Sequence, residues 1–440
     1  MEVERGLVVA QIFVGRIFNH SVDWYFYYEY IKNMSSVKRK ITYRLYLTKK
    51  QELAMGLVLR LHQQLYNAAL EQRISAYKKQ KKSLSYVAQA RELTVVRAEM
   101  DEYKLLNAQS CQVTLTRLDL AFKNFFRRVK AKEKKVGFPR FKSLARYTGW
   151  GYKTHGDGWK LLAGEKNKHG FLRLSGIGHL KIRGAAKHLG TPKTCEIQHK
   201  QGKWYASVTI DCEATRTSGQ ESVGIDWGLE TFATMAKYDG NSESIKNPRF
   251  LKTQLRALKT KQQSLSRKKR GSKNRQQAKQ AVANLHAKIT NTRKEFLHQT
   301  TAKIIKNSAL IAVEKLNIKG MSSAGGSYKK GLNREILSAA PGLFHQMLKY
   351  KAEEAGVEWV EIPTRQVKPS QTCHGCGRQE KKTLFMRKHA CECGVSCSRD
   401  ENSAKVILNW ALFGSASGQE LSRCGGALAP VKQETPSIAA

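Results

Sequence analysis

A chain of 440 residues has room for two to four domains, and its 78 lysines and arginines against 35 acids leave a net charge of +43. Such an excess destabilises a compact fold by self-repulsion unless a polyanion neutralises it, so nucleic acid is the expected partner. No apolar run approaches the ~20 residues of a membrane-spanning helix, and eight prolines with no low-complexity tract favour folded domains over a disordered basic tail.

Residues 1–33 are aromatic and nearly uncharged on balance, unlike the heavily basic remainder of the chain, and carry no recognisable chemistry. Met34 opens the basic segment MSSVKRKITYRLYLTKKQ, and a protein starting there is expected to fold and act like the full chain. Within it Ile41, Tyr43, Leu45 and Leu47 alternate with polar residues, the pattern of a half-buried strand. From about Glu52 to Lys132 the period turns helical. Leu115, Leu118, Phe122, Phe125 and Val129 step by three and four and predict one buried helix face. That helix ends in Arg127, Arg128, Lys130 and Lys132, a solvated end or a grip on phosphates.

Short apolar and aromatic runs split by glycine, from about Tyr147 to Glu213, predict a small antiparallel sheet or barrel. SVGIDWGLETFATMAKYDG then predicts a buried strand, a turn and a second strand, with Asp226 set in the apolar run. Residues 251–300 hold fourteen Lys or Arg and one acid, and Val282, Leu285, Ile289 and Phe296 keep helical spacing, a basic helical pair packed on one side. ALIAVEKLNIKGM predicts a strand delivering Glu314 at its end. A helix over about Ala339 to Ala355 and a strand, VEWVEIP, come next.

Five of the nine cysteines fall between Cys373 and Cys397. Cys373 and Cys376 form a C-x-x-C pair; after fourteen residues come Cys391 and Cys393, with a glycine after Cys376 and after Cys393, as two zinc knuckles require. A disulfide cluster or inert thiols are the alternatives. With no signal peptide and a nucleic-acid-like charge, a reducing compartment is expected, which disfavours disulfides. The second knuckle is C-E-C-G rather than C-x-x-C-G, so Cys373, Cys376, Cys391 and Cys393 are the expected zinc ligands, with Cys397 open as a replacement for Cys391 or Cys393.

Asp226 on one strand, Glu314 at the end of another and Asp400 just before a helix predicted from about Glu401 to Leu412 form a second constellation. A carboxylate in an apolar strand is costly unless paired or holding a metal. Three of them suit a two-metal phosphodiester site, whose cations stand ~3.5–4 Å apart, and magnesium suits an all-oxygen donor set.

GIDWGLE, IAVEKLNIKGM and SQTC-x-x-CG followed by SRDENSAKVILNW resemble the three RuvC motifs and the zinc-binding insertion of TnpB proteins, transposon-encoded RNA-guided nucleases related to compact type V CRISPR effectors. The resemblance runs from about Ile41 to Trp410, and Asp226, Glu314 and Asp400 match the catalytic acids. It implies a multidomain α/β protein: an RNase H-like (RuvC) nuclease domain with an inserted zinc ribbon, preceded by a small β-barrel (wedge) domain that carries an inserted helical recognition lobe. The implied division is an unmatched leader at 1–37, wedge at 38–55 and 139–215, recognition lobe at 56–138, nuclease domain at 216–369 and 398–413, ribbon at 370–397 and a tail at 414–440.

The resemblance further implies an RNA-guided DNA endonuclease using two Mg²⁺ and a structural Zn²⁺, with a guide RNA and double- and single-stranded target DNA as partners. It implies a cytoplasmic, nucleoid-associated protein of a bacterium or archaeon with no membrane partner, and leaves monomer or dimer open. A guide-dependent binder with little cleavage, a compact CRISPR effector and a strand-transferring transposase are the alternatives. The transposase is disfavoured because no helix-turn-helix is evident in the sequence.

Overall fold

The computed structural model describes residues 36–133, 135–162, 169–183, 190–383 and 385–417. The leader at 1–33 and most of the 414–440 tail lie outside them. The chain divides near residue 214 into two compact units.

The first unit opens with β1 (Ser36–Tyr46), in which Tyr43 and Leu45 are buried as the alternation predicts. A helix, α1 (Lys49–Gln80), starts after two residues. The helix was expected only near residue 52, and the 38–55 stretch to be barrel. The capping box explains the earlier start: Thr48 Oγ1 accepts from the Gln51 N–H (3.3 Å) and Gln51 Oε1 from the Thr48 N–H (3.1 Å). Next come α2 (Tyr86–Glu99), a short α3 (Asp101–Lys104) and α4 (Ala108–Lys130). The apolar stripe of α4 is buried at Leu115 and Leu118, half-buried at Phe122 and Phe125, and surfaces at Val129. The expected single buried face therefore runs out halfway, and Phe122 and Phe125 pack instead against Phe138 (ring centroids 5.6 and 5.2 Å). Arg128, in the basic end, donates to the carbonyls of Val136 (2.6 Å) and Gly137 (3.1 Å).

Six further strands, β2 (Gly149–Tyr152), β3 (Trp159–Leu162), β4 (His169–Leu174), β5 (Gly178–Arg183), β6 (Thr191–Lys200) and β7 (Lys203–Glu213), complete an antiparallel sheet of order β2-β6-β7-β1-β5-β4-β3. Ten residues of β1, from Ser36 to Leu45, pair with β7, while Leu45 and Tyr46 pair with β5. β1 is thus the corner between the two halves of the sheet. Its outer strands β2 and β3 do not pair with each other among the described residues, so the seven strands form an open antiparallel sheet and not a closed barrel. Beneath it His62 of α1 is fully buried, stacked on Trp150 of β2 (5.6 Å) and hydrogen-bonded to Ser110 and Thr114 of α4. Burial, with Arg117 adding to it, pushes the imidazole down to about 3, so it sits neutral between two hydroxyls.

The second unit is built on β8 (Glu221–Trp227), β9 (Thr231–Lys237), β10 (Ser242–Lys246), β11 (Ser308–Glu314) and β12 (Glu358–Ile362), in the order β10-β9-β8-β11-β12. The first three are antiparallel, joined by short turns; β8, β11 and β12 are parallel. Parallel neighbours need crossovers. The helical pair α5 (Phe250–Ser266) and α6 (Lys273–Asn307) leads into β11. The short α7 (Ile318–Met321), then α8 (Ser327–Ala339) and α9 (Pro341–Ala355), lead into β12. Around the expected helix of 339–355 the chain thus forms two helices, broken at Ala340, whose φ of 55° cannot continue a helix.

Beyond β12 come α10 (Thr364–Val367), the two-stranded β13 (Lys388–Ala390) and β14 (Ser396–Ser398), and α11 (Arg399–Phe413). Alternation sorts the two faces of the sheet. Val223 and Ile225 of β8 and Ile311 and Val313 of β11 pack with Leu297, Phe344 and Leu348 of the long helices. Leu310 and Ala312 of β11 and Ile362 of β12 pack with Val406, Ile407 and Leu408 of α11.

Candidate active site

The face under α11 carries Asp226 and Glu314, and Asp400 on that helix is near enough for its charge to act on Asp226. Asp226 and Glu314 follow the alternation that points Gly224, Leu310 and Ala312 toward that helix. The parallel register, which pairs Ile225 with Val313, sets Asp226 and Glu314 abreast at the carboxyl ends of neighbouring strands. Asp400 stands within the first turn of α11 rather than before the helix as expected, because Ser398 caps it: its hydroxyl accepts the Glu401 N–H at 3.1 Å. A carboxylate there is favoured by the helix dipole.

Gly224 lets the helix come so close. A Cβ on it would stand 2.3 Å from the Ala404 carbonyl oxygen and 2.7 Å from the Leu408 nitrogen, so only a glycine admits α11 at this height over β8. Two residues further along the same face of the strand lies Asp226.

Electrostatics link Asp226 to the other two carboxylates. Burial pushes the Asp226 carboxyl well above the ordinary range, the charges of Glu314 and Asp400 push it the same way, and Arg399 opposes them. Burial alone lifts Glu314 to about 7. Acids held this way at neutral pH are short of positive charge, the condition a divalent cation relieves.

The four cysteine sulfurs of Cys373, Cys376, Cys391 and Cys393 all lie within 4.8 Å of one another, with 3.6 Å between Cys373 and Cys393 and between Cys376 and Cys391. Each knuckle closes on a backbone hydrogen bond, Gly377 N–H to Cys373 O (2.9 Å) and Gly394 N–H to Cys391 O (3.0 Å). Both glycines take positive φ, 74° and 92°. The Cys393 N–H, aimed at the Cys391 sulfur, is the first cause that brings that thiol down to about 7. Cys397 stands apart from the group, on β14 opposite His389 of β13.

Sequence reasoning passed over Gly224, Ser398 and the two asparagines of α11, Asn402 and Asn409, whose side chains hold the first knuckle. Ser398 was findable, since S-x-x-E before an apolar run marks a helix start.

Residues 202–324 match a family model described as "Probable transposase", and residues 342–407 one described as "Cas12f1-like, TNB domain". Residues 34–82 match a model described as "Helix-turn-helix domain". The described residues of that stretch nevertheless fold as β1 and an unbroken 32-residue α1, so the match is one of sequence and no helix-turn-helix is formed there. A protein of Streptomyces pristinaespiralis named "Putative RNA-guided DNA endonuclease" is 30% identical over 91% of this chain and 94% of its own. Escherichia coli (strain K12) has one named "Putative RNA-guided DNA endonuclease InsQ", 31% identical over 74% of this chain and 79% of its own. Among solved structures, Cas12f1 in its complex with sgRNA and target DNA superposes with a TM-score of 0.58, covering 85% of this chain and 99% of that one. At 12% identity that likeness is one of fold.

Proposed function

The chain belongs to the TnpB-like family, related to the compact type V effectors, and from that premise we propose that it is a transposon-associated RNA-guided DNA endonuclease with Asp226, Glu314 and Asp400 as its catalytic acids. The observation that carries this is the placing of Asp226 and Glu314 on one face of the sheet under the helix start that bears Asp400, where burial raises both carboxyls and the charges of Glu314 and Asp400 raise Asp226 further. An RNase H-like nuclease domain spanning 216–369 and 398–413, with the ribbon of 370–397 inserted, accords with the five-stranded sheet and α11.

The all-oxygen donor set fits Mg²⁺, with Asp226, Glu314 and Asp400 as the holding residues. Bound there, the ions supply Lewis acidity toward the scissile phosphate and lower the pKa of the attacking water. Asp226 and Glu314 would contribute as carboxylates, and α11 would supply Asp400 from a capped helix start. The four clustered thiols fit one structural Zn²⁺, with Cys373, Cys376, Cys391 and Cys393 as ligands.

A guide RNA and target DNA are the partners that a net charge of +43 suits. The open sheet of the first unit serves as the wedge and α1 to α4 as the recognition lobe, with guide pairing reading the target sequence. No helix among the described residues is long and apolar enough to cross a membrane.

The test is a guide-programmed cleavage assay beside filter binding on the same preparations of Asp226→Ala and Asp226→Asn. Binding is expected near the parent's, with cleavage down by on the order of 10³ or more. Cleavage at the parental rate by Asp226→Asn refutes the site, and joint loss of binding and cleavage makes the residue structural.

A further inference from the structure

Three restraints on the first turn of α11 come from the zinc ribbon or from the residue that joins it to the helix. Ser398, the last residue of β14, caps the helix, and the Arg399 N–H donates to Arg387 O in the ribbon's long loop (2.8 Å). The third is Asn402, which is fully buried two residues beyond Asp400. Its Oδ1 accepts the backbone N–H of His374 (3.1 Å) and sits 3.0 Å from His374 Nδ1. Its Nδ2 donates to Thr372 O (2.7 Å) and Pro369 O (3.4 Å). Two turns on, Asn409 Nδ2 donates to His374 O (3.2 Å). His374 lies between Cys373 and Cys376, so the knuckle backbone is fastened to the helix at both points.

Helix ends open at low cost because their terminal N–H groups lack intrahelical partners, and a metal knuckle is ordered only when its ion is bound. We propose that Asn402 is a positioning residue that couples the folding of the zinc knuckle to the placement of Asp400. Zinc occupancy is thereby transmitted to the acid cluster, and the ribbon acts on the nuclease site as well as on any nucleic acid it touches. The inference rests on the reading of Asp226, Glu314 and Asp400 as a divalent-cation site. Asn402 approaches no reacting atom; it acts through α11.

The experiment uses the full chain as parent, Asn402→Ala, Cys376→Ser, the double variant and Asp226→Ala. Zinc is counted, hydrogen exchange is followed over residues 399–405, and Mn²⁺ is titrated by the loss of its free-ion resonance. Asn402→Ala is expected to keep about one zinc, to exchange at least about tenfold faster in that turn, and to bind Mn²⁺ about 10-fold to 100-fold more weakly, the range for residues that orient ligands. Cys376→Ser should show the same two changes, and combining it with Asn402→Ala should add nothing, since both cut one coupling.

Parental exchange and Mn²⁺ affinity in Asn402→Ala, or additive effects in the double variant, overturn the proposal. Should Asn402→Ala fail to fold, the parent stripped of zinc by a chelator decides: it must lose protection at 399–405 and Mn²⁺ affinity, and retention of both overturns the coupling. Asp226→Ala separates the two readings. If it leaves Mn²⁺ binding unchanged the cation site itself is refuted, whereas weakened binding there with none in Asn402→Ala removes the coupling alone.

Discussion

Gly224→Ala adds one methyl group to β8 and aims it at the backbone of α11. The new Cβ would stand 2.3 Å from Ala404 O, 2.7 Å from Leu408 N and 2.8 Å from Leu408 Cβ. A carbon in contact with a carbonyl oxygen keeps about 3.3–3.6 Å, so the helix must withdraw by roughly 1 Å. Two of the three atoms are main chain, and no side-chain rotation relieves them. Overpacking of this kind costs about 1–3 kcal/mol, and a 1 Å displacement of a catalytic group costs about 10²-fold in rate. Under single turnover at saturating Mg²⁺, Gly224→Ala is therefore expected to cleave guided DNA about 10²-fold more slowly while binding it at the parental affinity. Gly56→Ala is the control, since a Cβ there meets nothing within 4 Å; in mid-helix it should leave cleavage unchanged and raise stability by about 0.5–1 kcal/mol. Parental cleavage by Gly224→Ala would mean that the height of α11 over β8 does not set the position of Asp400.

Purified protein should carry about one zinc, and Cys373→Ser should release it and loosen the ribbon, because metal-binding free energy is folding free energy here; a zinc-free protein of full stability and normal cleavage refutes this. His62 titrates at about 3 when folded against 6.5 when unfolded, so the folded state binds fewer protons between those values. The stability it contributes is complete above pH 6.5 and falls toward pH 3 by up to about 5 kcal/mol. His62→Gln should flatten that slope in denaturant titrations followed by tryptophan fluorescence, and an unchanged slope counts against the neutral buried imidazole. Guide RNA affinity should drop log-linearly with salt, by roughly 10³-fold or more between 50 and 200 mM if six or more phosphates are held. A nearly flat salt dependence would contradict a phosphate grip by the basic helices α5 and α6.

The acids on strands were legible because a strand of apolar residues interrupted by a carboxylate is a local pattern. Asp226 and Glu314 needed only the alternation of β8 and β11 to be assigned a shared face. The starts of α1 and α11 were also written locally, as Thr48-x-x-Gln51 and Ser398-x-x-Glu401, yet apolar periodicity begins later than a cap and drew both boundaries inward. The break at Ala340 was written locally too, since Pro341 disfavours a right-handed helical conformation in the residue before it and suits the first position of a new helix; apolar periodicity ran through it unmarked. Phe125 and Val129 keep the spacing of a core stripe on a helix whose far end has outrun the core beneath it. Asn402 looked like any polar helix residue, because the groups it satisfies lie about thirty residues earlier in the chain.

The order in which the sheet is assembled has a consequence for the protein during its own synthesis. The first unit is complete by residue 214, whereas Asp400 comes in α11, the last of the described elements. At the ~5–20 residues per second of translation, the two are separated by roughly 10 to 40 s. For that interval the nascent chain has the sheet and helices of its first unit, while the sheet of the second has two acids and lacks the third. On the proposed reading of the site, a chain interrupted before residue 400 lacks one of its three acids, so truncated products are expected not to cleave DNA.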